Sequence, residues 1–189
     1  MRVLGISGSL RRGSYNTALL RHAGDLLEAG GAQFAIYEGL GELPVYNEDD
    51  DVEDPVEAVA RIRAAVRNAD AVLFATPEYN SSIPGGLKNA VDWLSRPSLA
   101  ESALRGKPVA VVGASTGAFG AVWAQAELRK VLAATGARVV EGEVVVGHAM
   151  DRFDAAGRLN DASLEEQLRE VTDGLLLETR PQDPGKLAA

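Results

Sequence analysis

Three short stretches of the chain hold residues whose types and spacing could do chemistry. The first, "GSLRRGSYN" (residues 8–16), sets two hydroxyls, two arginines and an amide between an apolar run and an amphipathic segment. Such a seam suits an anion: the N–H groups of a turn and of a helix start face outward, and the hydroxyls of Ser9 and Ser14 and the amide of Asn16 add donors. Arg11 can supply the compensating charge. Gly8 and Gly13 have the glycine spacing of a nucleotide triphosphate loop, but Ser14 stands where that loop needs Lys, and no Gly-x-Gly-x-x-Gly occurs here for a dinucleotide. A monophosphate fits these residues better. The competing reading gives Ser14 a plain helix-capping role and leaves both arginines in solvent.

The second stretch, "TPEYNSSIPGGLKN" (76–89), leaves an apolar run through Pro77 and enters a helix near Pro84, where the first turn has no use for the N–H that proline lacks. Its backbone offers donors and acceptors to the edge of a planar heterocycle, and Tyr79 offers a wall to its face. Taken alone, the same residues also read as a rigid proline turn with an exposed Tyr. The third stretch, "GASTGAFG" (113–120), follows another apolar run.

Other chemistries are narrowed by what the chain lacks. It has no Cys and two His, His22 and His148, far apart in sequence, which removes disulfides, thiolate nucleophiles and cysteine-based zinc sites and argues against a metal centre. His148, after a terminal strand, reads as structural or solvated. A formal charge of −8 repels nucleic acid and anionic lipid, so an anionic ligand needs a local positive site. The segment "MRVLGISGSL" lacks the apolar core and cleavage site of a secretory signal. A cytoplasmic protein without membrane insertion or nucleic-acid partners is expected.

The elements that must position these loops are legible in the apolar pattern. Buried-strand runs at Val3–Ile6, Phe34–Tyr37, Ala71–Ala75 and Val109–Val112, with a more polar edge-like run at Val139–Val146, alternate with five segments of helical period. Helix faces are marked by Leu19, Ala23 and Leu26; by Val59, Ile62, Val66 and Ala69; by Leu87, Ala90, Val91 and Leu94; by Ala121, Ala124, Leu128 and Val131; and by Leu164, Leu168, Val171 and Leu175. Strands and helices in this alternation predict an α/β parallel sheet covered on both faces, which binds ligands at the carboxyl ends of its strands. All three loops fall at such ends. Residues 1–180 read as one domain and 181–189 as a flexible tail, while the acidic run "NEDDDVEDP" reads as a loop that ends by capping the helix from Val56.

"GSLRRGSYN", "ELPVYNEDD", "ADAVLFATPEYNSSIPGGLKNAVDWLSRP" and "GASTGAFGAVWAQAELRKVL", in this order, resemble the NADPH-dependent FMN reductase family of flavodoxin-like proteins, which includes chromate, quinone and azo-dye reductases. The resemblance spans Val3 to about Val146. It implies a flavodoxin-like three-layer sandwich with a five-stranded sheet in the order 2-1-3-4-5, and FMN as cofactor with NADPH or NADH as co-substrate. It implies that Ser9, Arg11, Ser14 and Asn16 hold the FMN phosphate and ribityl, with Leu10 and Tyr15 as backbone or wall. Pro77, Glu78, Tyr79 and Asn80 would line the isoalloxazine ring, and Ala114, Ser115 and Gly117 would close the pocket. Chemistry would take place at the flavin, with no catalytic side chain, and the electrons would pass to a quinone, chromate, azo or similar small-molecule acceptor. Glu78 is expected to serve through its backbone or a subunit contact, Trp93 as a core or interface ring, and Lys88 and Asn89 in holding loop and helix in register. The family's dimers imply a homodimer or homotetramer in which "ELPVYNEDD" reaches over a neighbour's pocket. Trp123 stands where many members carry Arg, which puts substrate-binding or subunit-pairing roles of that Arg in question. Arg12 and Arg96 are the candidates for a nucleotide 2′-phosphate. A non-catalytic FMN electron carrier and a redox sensor are the alternative readings.

Overall fold

The structure, a computed structural model, describes residues 1–96, 98 and 101–179. The expected tail, 181–189, lies outside them. Strands β1 (Arg2–Ser7), β2 (Gln33–Ile36), β3 (Ala71–Thr76), β4 (Pro108–Ala114), β5 (Arg138–Val139) and β6 (Val145–Val146) alternate with helices α1 (Tyr15–Ala29), α2 (Glu57–Asn68), α3 (Gly85–Leu94), α4 (Val122–Ala134) and α5 (Ala162–Glu178). All strand pairs are parallel, in the order β2-β1-β3-β4-β5 that the resemblance implies, with β6 also on β4.

The two central strands carry apolar residues on both faces because both faces are covered. Ala71, Leu73 and Ala75 of β3 and Ala110, Val112 and Ala114 of β4 meet Leu19, Leu20 and Ala23 of α1 and Leu168, Val171 and Leu175 of α5. Their alternates Val72, Phe74, Val109 and Val111 meet Ile62 and Val66 of α2, Leu87 and Val91 of α3, and Leu128 and Leu132 of α4. Phe74 is fully buried, and its truncation to Ala would cost about 3–5 kcal/mol. The core thereby fixes where β1, β3 and β4 end, and hence where the three loops start.

Two expectations are corrected. The predicted fifth strand, Val139–Val146, is two short strands: Arg138 pairs with Pro108 and Val145 with Gly113, so seven residue steps on one side span five on the other. The excess is looped out around Gly142, whose φ of +124° suits glycine and where a Cβ would lie 2.8 Å from Val171 Cγ2 of α5. The acidic run does not cap α2 either, because Val56 is the N-cap and makes no side-chain bond there. Asp51 from that run instead forms a 2.8 Å ion pair with Arg63 of α2, both side chains almost wholly buried.

Candidate active site

A cleft opens at the carboxyl ends of β1, β3 and β4. It is lined by Ser9, Arg11, Ser14, Tyr15, Asn16, Pro77, Glu78, Tyr79, Ala114, Ser115 and Thr116. About 490 Å³ of empty space, open solvent at the mouth included, lies between these residues. Ten of the thirteen residues named from the sequence are therefore brought together, and Thr116 joins them without having been singled out. Leu10, Asn80 and Gly117 are not on the wall; Leu10 is 66% exposed.

The first loop turns sharply after β1. Gly8 N–H donates to Ala75 O at 2.8 Å, and a Cβ on Gly8 would sit 2.8 Å from Leu87 Cδ2 and 3.2 Å from Pro77 Cδ. Only glycine lets the two loops approach so closely. Ser14 is the N-cap of α1, its Oγ accepting the Thr17 N–H at 3.3 Å. Capping uses a lone pair and leaves the hydroxyl proton free to donate, so the capping and anion-binding readings of Ser14 are compatible. The N–H groups of Tyr15 and Asn16, in the first turn, have no intrahelical acceptor and lie where the helix dipole favours an anion. Arg11 is exposed and lies back over its own loop, Nη2 donating to Gly13 O at 3.1 Å. Tyr15 stacks on Phe153 with ring centroids 5.5 Å apart, which holds one wall. Phe153, far along the chain, carried no signal in the sequence.

Asn16 does something spacing could not reveal. It is buried, its Nδ2 donates to Ala114 O and its Oδ1 accepts the Ala114 N–H, both at 2.9 Å. The side chain thus acts as a missing strand partner at the end of β4 and ties the first loop to the third.

Glu78 is engaged in a comparable way. Its Oε2 accepts the N–H groups of Trp123 at 3.0 Å and Ala124 at 3.1 Å, the second and third residues of α4. The helix's own N-cap, Ala121, has φ +63° and offers no side-chain bond, so Glu78 supplies the cap from another loop. A second carboxylate runs the opposite way: Ser82 Oγ donates to Glu127 Oε2 of α4 at 2.6 Å. Between these anchors Tyr79 and Ser82 exchange both backbone bonds, at 3.0 and 3.1 Å, around Asn80 and Ser81, whose φ values are +52° and +60°. Left-handed conformations at both central positions make a type I′ turn.

The remaining predicted residues have structural partners. Trp93 is fully buried and Nε1 donates to Pro44 O at 2.9 Å. Asn89 accepts the Tyr46 N–H at 2.7 Å and donates to Pro44 O at 2.8 Å, so the "ELPVYNEDD" segment is fastened to α3 of its own chain. Lys88 pairs with Asp92 one helical turn away at 2.6 Å. Arg96 lies over the Tyr46 ring at 5.4 Å and also meets Ser95, while Arg12 is exposed. His22 is buried, and its Nδ1 accepts the Leu159 N–H at 3.1 Å. Burial pushes its pKa below 6.5, a fall that Glu165 and Asp25 oppose. His148 is not on the cleft wall. Trp123 and Phe119 are 48% and 63% exposed and form an edge-to-face pair with centroids 5.0 Å apart; neither is on the cleft wall. Among the described residues no group of His, Cys, Asp or Glu has metal-binding geometry, and no helix is long and apolar enough to cross a membrane.

A parallel sheet of this order with helices on both faces is the flavodoxin-like fold, and the cleft lies at the carboxyl ends of its strands. The family model described as NADPH-dependent FMN reductase matches residues 1–151. An NAD(P)H-dependent FMN reductase of Pseudomonas aeruginosa is 45% identical over 182 residues, covering 95% of this chain and 96% of the relative. A quinone reductase of Pseudomonas putida is 45% identical over 157 residues, covering 82% and 83%. The solved flavoenzyme FerB of Paracoccus denitrificans, an NAD(P)H:(acceptor) oxidoreductase, superposes with a TM-score of 0.83 at 36% identity, covering 94% of this chain and 96% of that one. The chain belongs to the NADPH-dependent FMN reductase family, and is an FMN-dependent oxidoreductase that uses NAD(P)H.

Proposed function

We propose that this chain is an NAD(P)H:quinone oxidoreductase whose cleft holds FMN with the phosphate at the first loop and the ring against Pro77–Tyr79. The observation that carries the reading is the division of labour around the cleft. The hydroxyls of Ser9 and Ser14, the first N–H groups of α1 and the Arg11 guanidinium face one end, and a loop clamped to α4 by Glu78 forms the other. Donors of this kind fit a phosphate monoester. When bound, FMN supplies two-electron transfer, taking hydride from a nicotinamide and passing the electrons on to an acceptor.

The chain's own contribution is orientation. No side chain has to act as nucleophile. The clamped 77–82 loop would present backbone groups to the ring edge, and Tyr79, on the cleft wall and half exposed, offers a ring against which a nicotinamide or quinone plane can lie. Chromate and azo acceptors belong to the same open-mouthed chemistry. Of the two candidates for a 2′-phosphate, Arg12 is favoured because it is exposed, whereas Arg96 is engaged on Tyr46 and Ser95. The exposed Phe119–Trp123 pair is the apolar surface proposed to pair subunits in a homodimer or homotetramer, and the cytoplasm is the proposed location.

The test is anaerobic: load the protein with FMN, add NADPH, then add a benzoquinone, and follow the visible flavin band. Bleaching by NADPH and recovery with quinone is the expected result. FMN that binds yet stays oxidised with NADPH would make the chain an electron carrier or a redox sensor instead.

A further inference from the structure

A second depression lies at the other end of the sheet, where β1, β3, β4 and β5 begin. Its wall includes Arg2, Arg67, Asp70, Arg105, Lys107 and Arg138. Five cationic side chains thus gather in one hollow of a chain whose formal charge is −8. The one carboxylate on the wall, Asp70, already accepts the Arg2 backbone N–H at 2.7 Å. Part of the group is fixed by the fold. Lys107 Nζ is held by Ala69 O and lies 3.4 Å from Arg67 O. Arg138 donates to Gly106 O at 3.2 Å and pairs with Glu178 at 3.4 Å. Among the described residues, the guanidinium groups of Arg2 and Arg67 have no hydrogen-bond or ion-pair partner.

Like charges held in one hollow repel each other, and a bound polyanion converts that repulsion into attraction. Arginine forks match phosphate oxygens bidentately, and four of the five cations are arginines. We propose that this depression is a binding site for a small polyanion of the di- or triphosphate class, separate from the flavin cleft. A nucleic-acid backbone fits less well, because a duplex would extend beyond the hollow onto a surface whose net charge repels it. Burial lowers the pKa of Lys107, a fall that Asp70 opposes and Arg2 adds to, and a bound anion would favour its protonated form. The six residues of β1 set the hollow about 20 Å from the cleft at ~3.3 Å per residue, beyond the Debye length of about 8 Å at physiological salt. Occupancy should leave FMN binding unaffected.

The experiment is calorimetric titration of the full chain, loaded with FMN, with inorganic tripolyphosphate at low salt; orthophosphate and chloride at matched ionic strength are the controls. One saturable site is expected, binding tripolyphosphate about tenfold or more tighter than orthophosphate and weakening steadily as salt rises. The double variant Arg2→Ala with Arg67→Ala should weaken it by about tenfold or more while FMN content stays at the wild-type level. Lys107 is left intact because it holds the end of α2. If the double variant fails to fold, Arg67→Gln alone is read in its place. Unsaturable heats, affinity unchanged in a folded variant, or release of FMN by tripolyphosphate would each overturn the proposal, the last by placing the anion in the flavin cleft.

Discussion

Removing the Glu78 carboxylate should loosen the 77–82 loop from α4 while leaving the first loop of the cleft intact. Oε2 accepts the Trp123 and Ala124 N–H groups at 3.0 and 3.1 Å, on a helix whose own N-cap contributes no side-chain bond. A capping acceptor is worth about 1 kcal/mol and up to about 2. The negative charge at a helix N-terminus adds about 0.3–1 kcal/mol, toward the low end for a partly exposed side chain. Glu78→Ala should therefore cost about 1.5 kcal/mol. Glu78→Gln keeps an oxygen acceptor and loses only the charge, so about 0.5 kcal/mol is expected of it. At about 2–4 °C per kcal/mol for a chain of this size, the flavin-free Ala variant should melt about 3–6 °C lower and the Gln variant about 1–2 °C lower. FMN affinity should follow the same order, because a released loop must be ordered again on binding: about tenfold weaker for Ala and within about twofold for Gln. Thermal unfolding by circular dichroism and FMN titration by fluorescence quenching read the two quantities. An Ala variant with wild-type melting would refute the clamp. A Gln variant as impaired as Ala would show that the charge, not the accepting oxygen, matters.

Arg11→Ala should weaken FMN binding by about tenfold or more, most at low salt, and leave flavin-free melting unchanged, since its guanidinium bonds only its own loop at Gly13 O. Asn16→Ala removes both bonds to Ala114 and leaves a buried N–H and C=O unpaired, a loss of about 2–4 kcal/mol that urea unfolding of the flavin-free protein would record. Ser81, at φ +60°, should tolerate Gly without loss, whereas a β-branched Val there should cost more than about 1 kcal/mol by the same measurement. Burial depresses the pKa of His22 below 6.5 and its Nδ1 serves as an acceptor, so the unfolded chain takes up a proton that the folded one refuses. The stability it contributes is complete above pH 6.5 and lost as pH falls through the lowered value. Urea midpoints measured on either side should therefore drop further on acidification for the wild type than for His22→Gln.

How far the sequence carried the fold and the site follows from what periodicity can register. Strands β3 and β4 are legible because burial on both faces leaves no polar position in Ala71–Ala75 or Val109–Val112. The interruption between β5 and β6 is not legible, because it depends on two residues of excess length relative to β4 and on α5 packing at Gly142. Loop positions were legible because the strands fix them. Side-chain partners were not, since Asn16 reaches Ala114 across 98 positions and Glu78 reaches Ala124 across 46.

Polarity beside a ligand pocket says only that a group needs a partner, and the structure shows which partner each one has. Asn16 and Glu78 have protein partners, the end of β4 and the start of α4, whereas Arg11, the hydroxyl protons of Ser9 and Ser14 and the first N–H groups of α1 keep donor capacity toward the cleft. The two sets should therefore separate in measurement. Substitutions in the first lower the stability of the flavin-free protein and affect FMN through the scaffold, while substitution of Arg11 affects FMN alone. A variant of Asn16 that kept its flavin-free stability and lost FMN would move that residue into the second set.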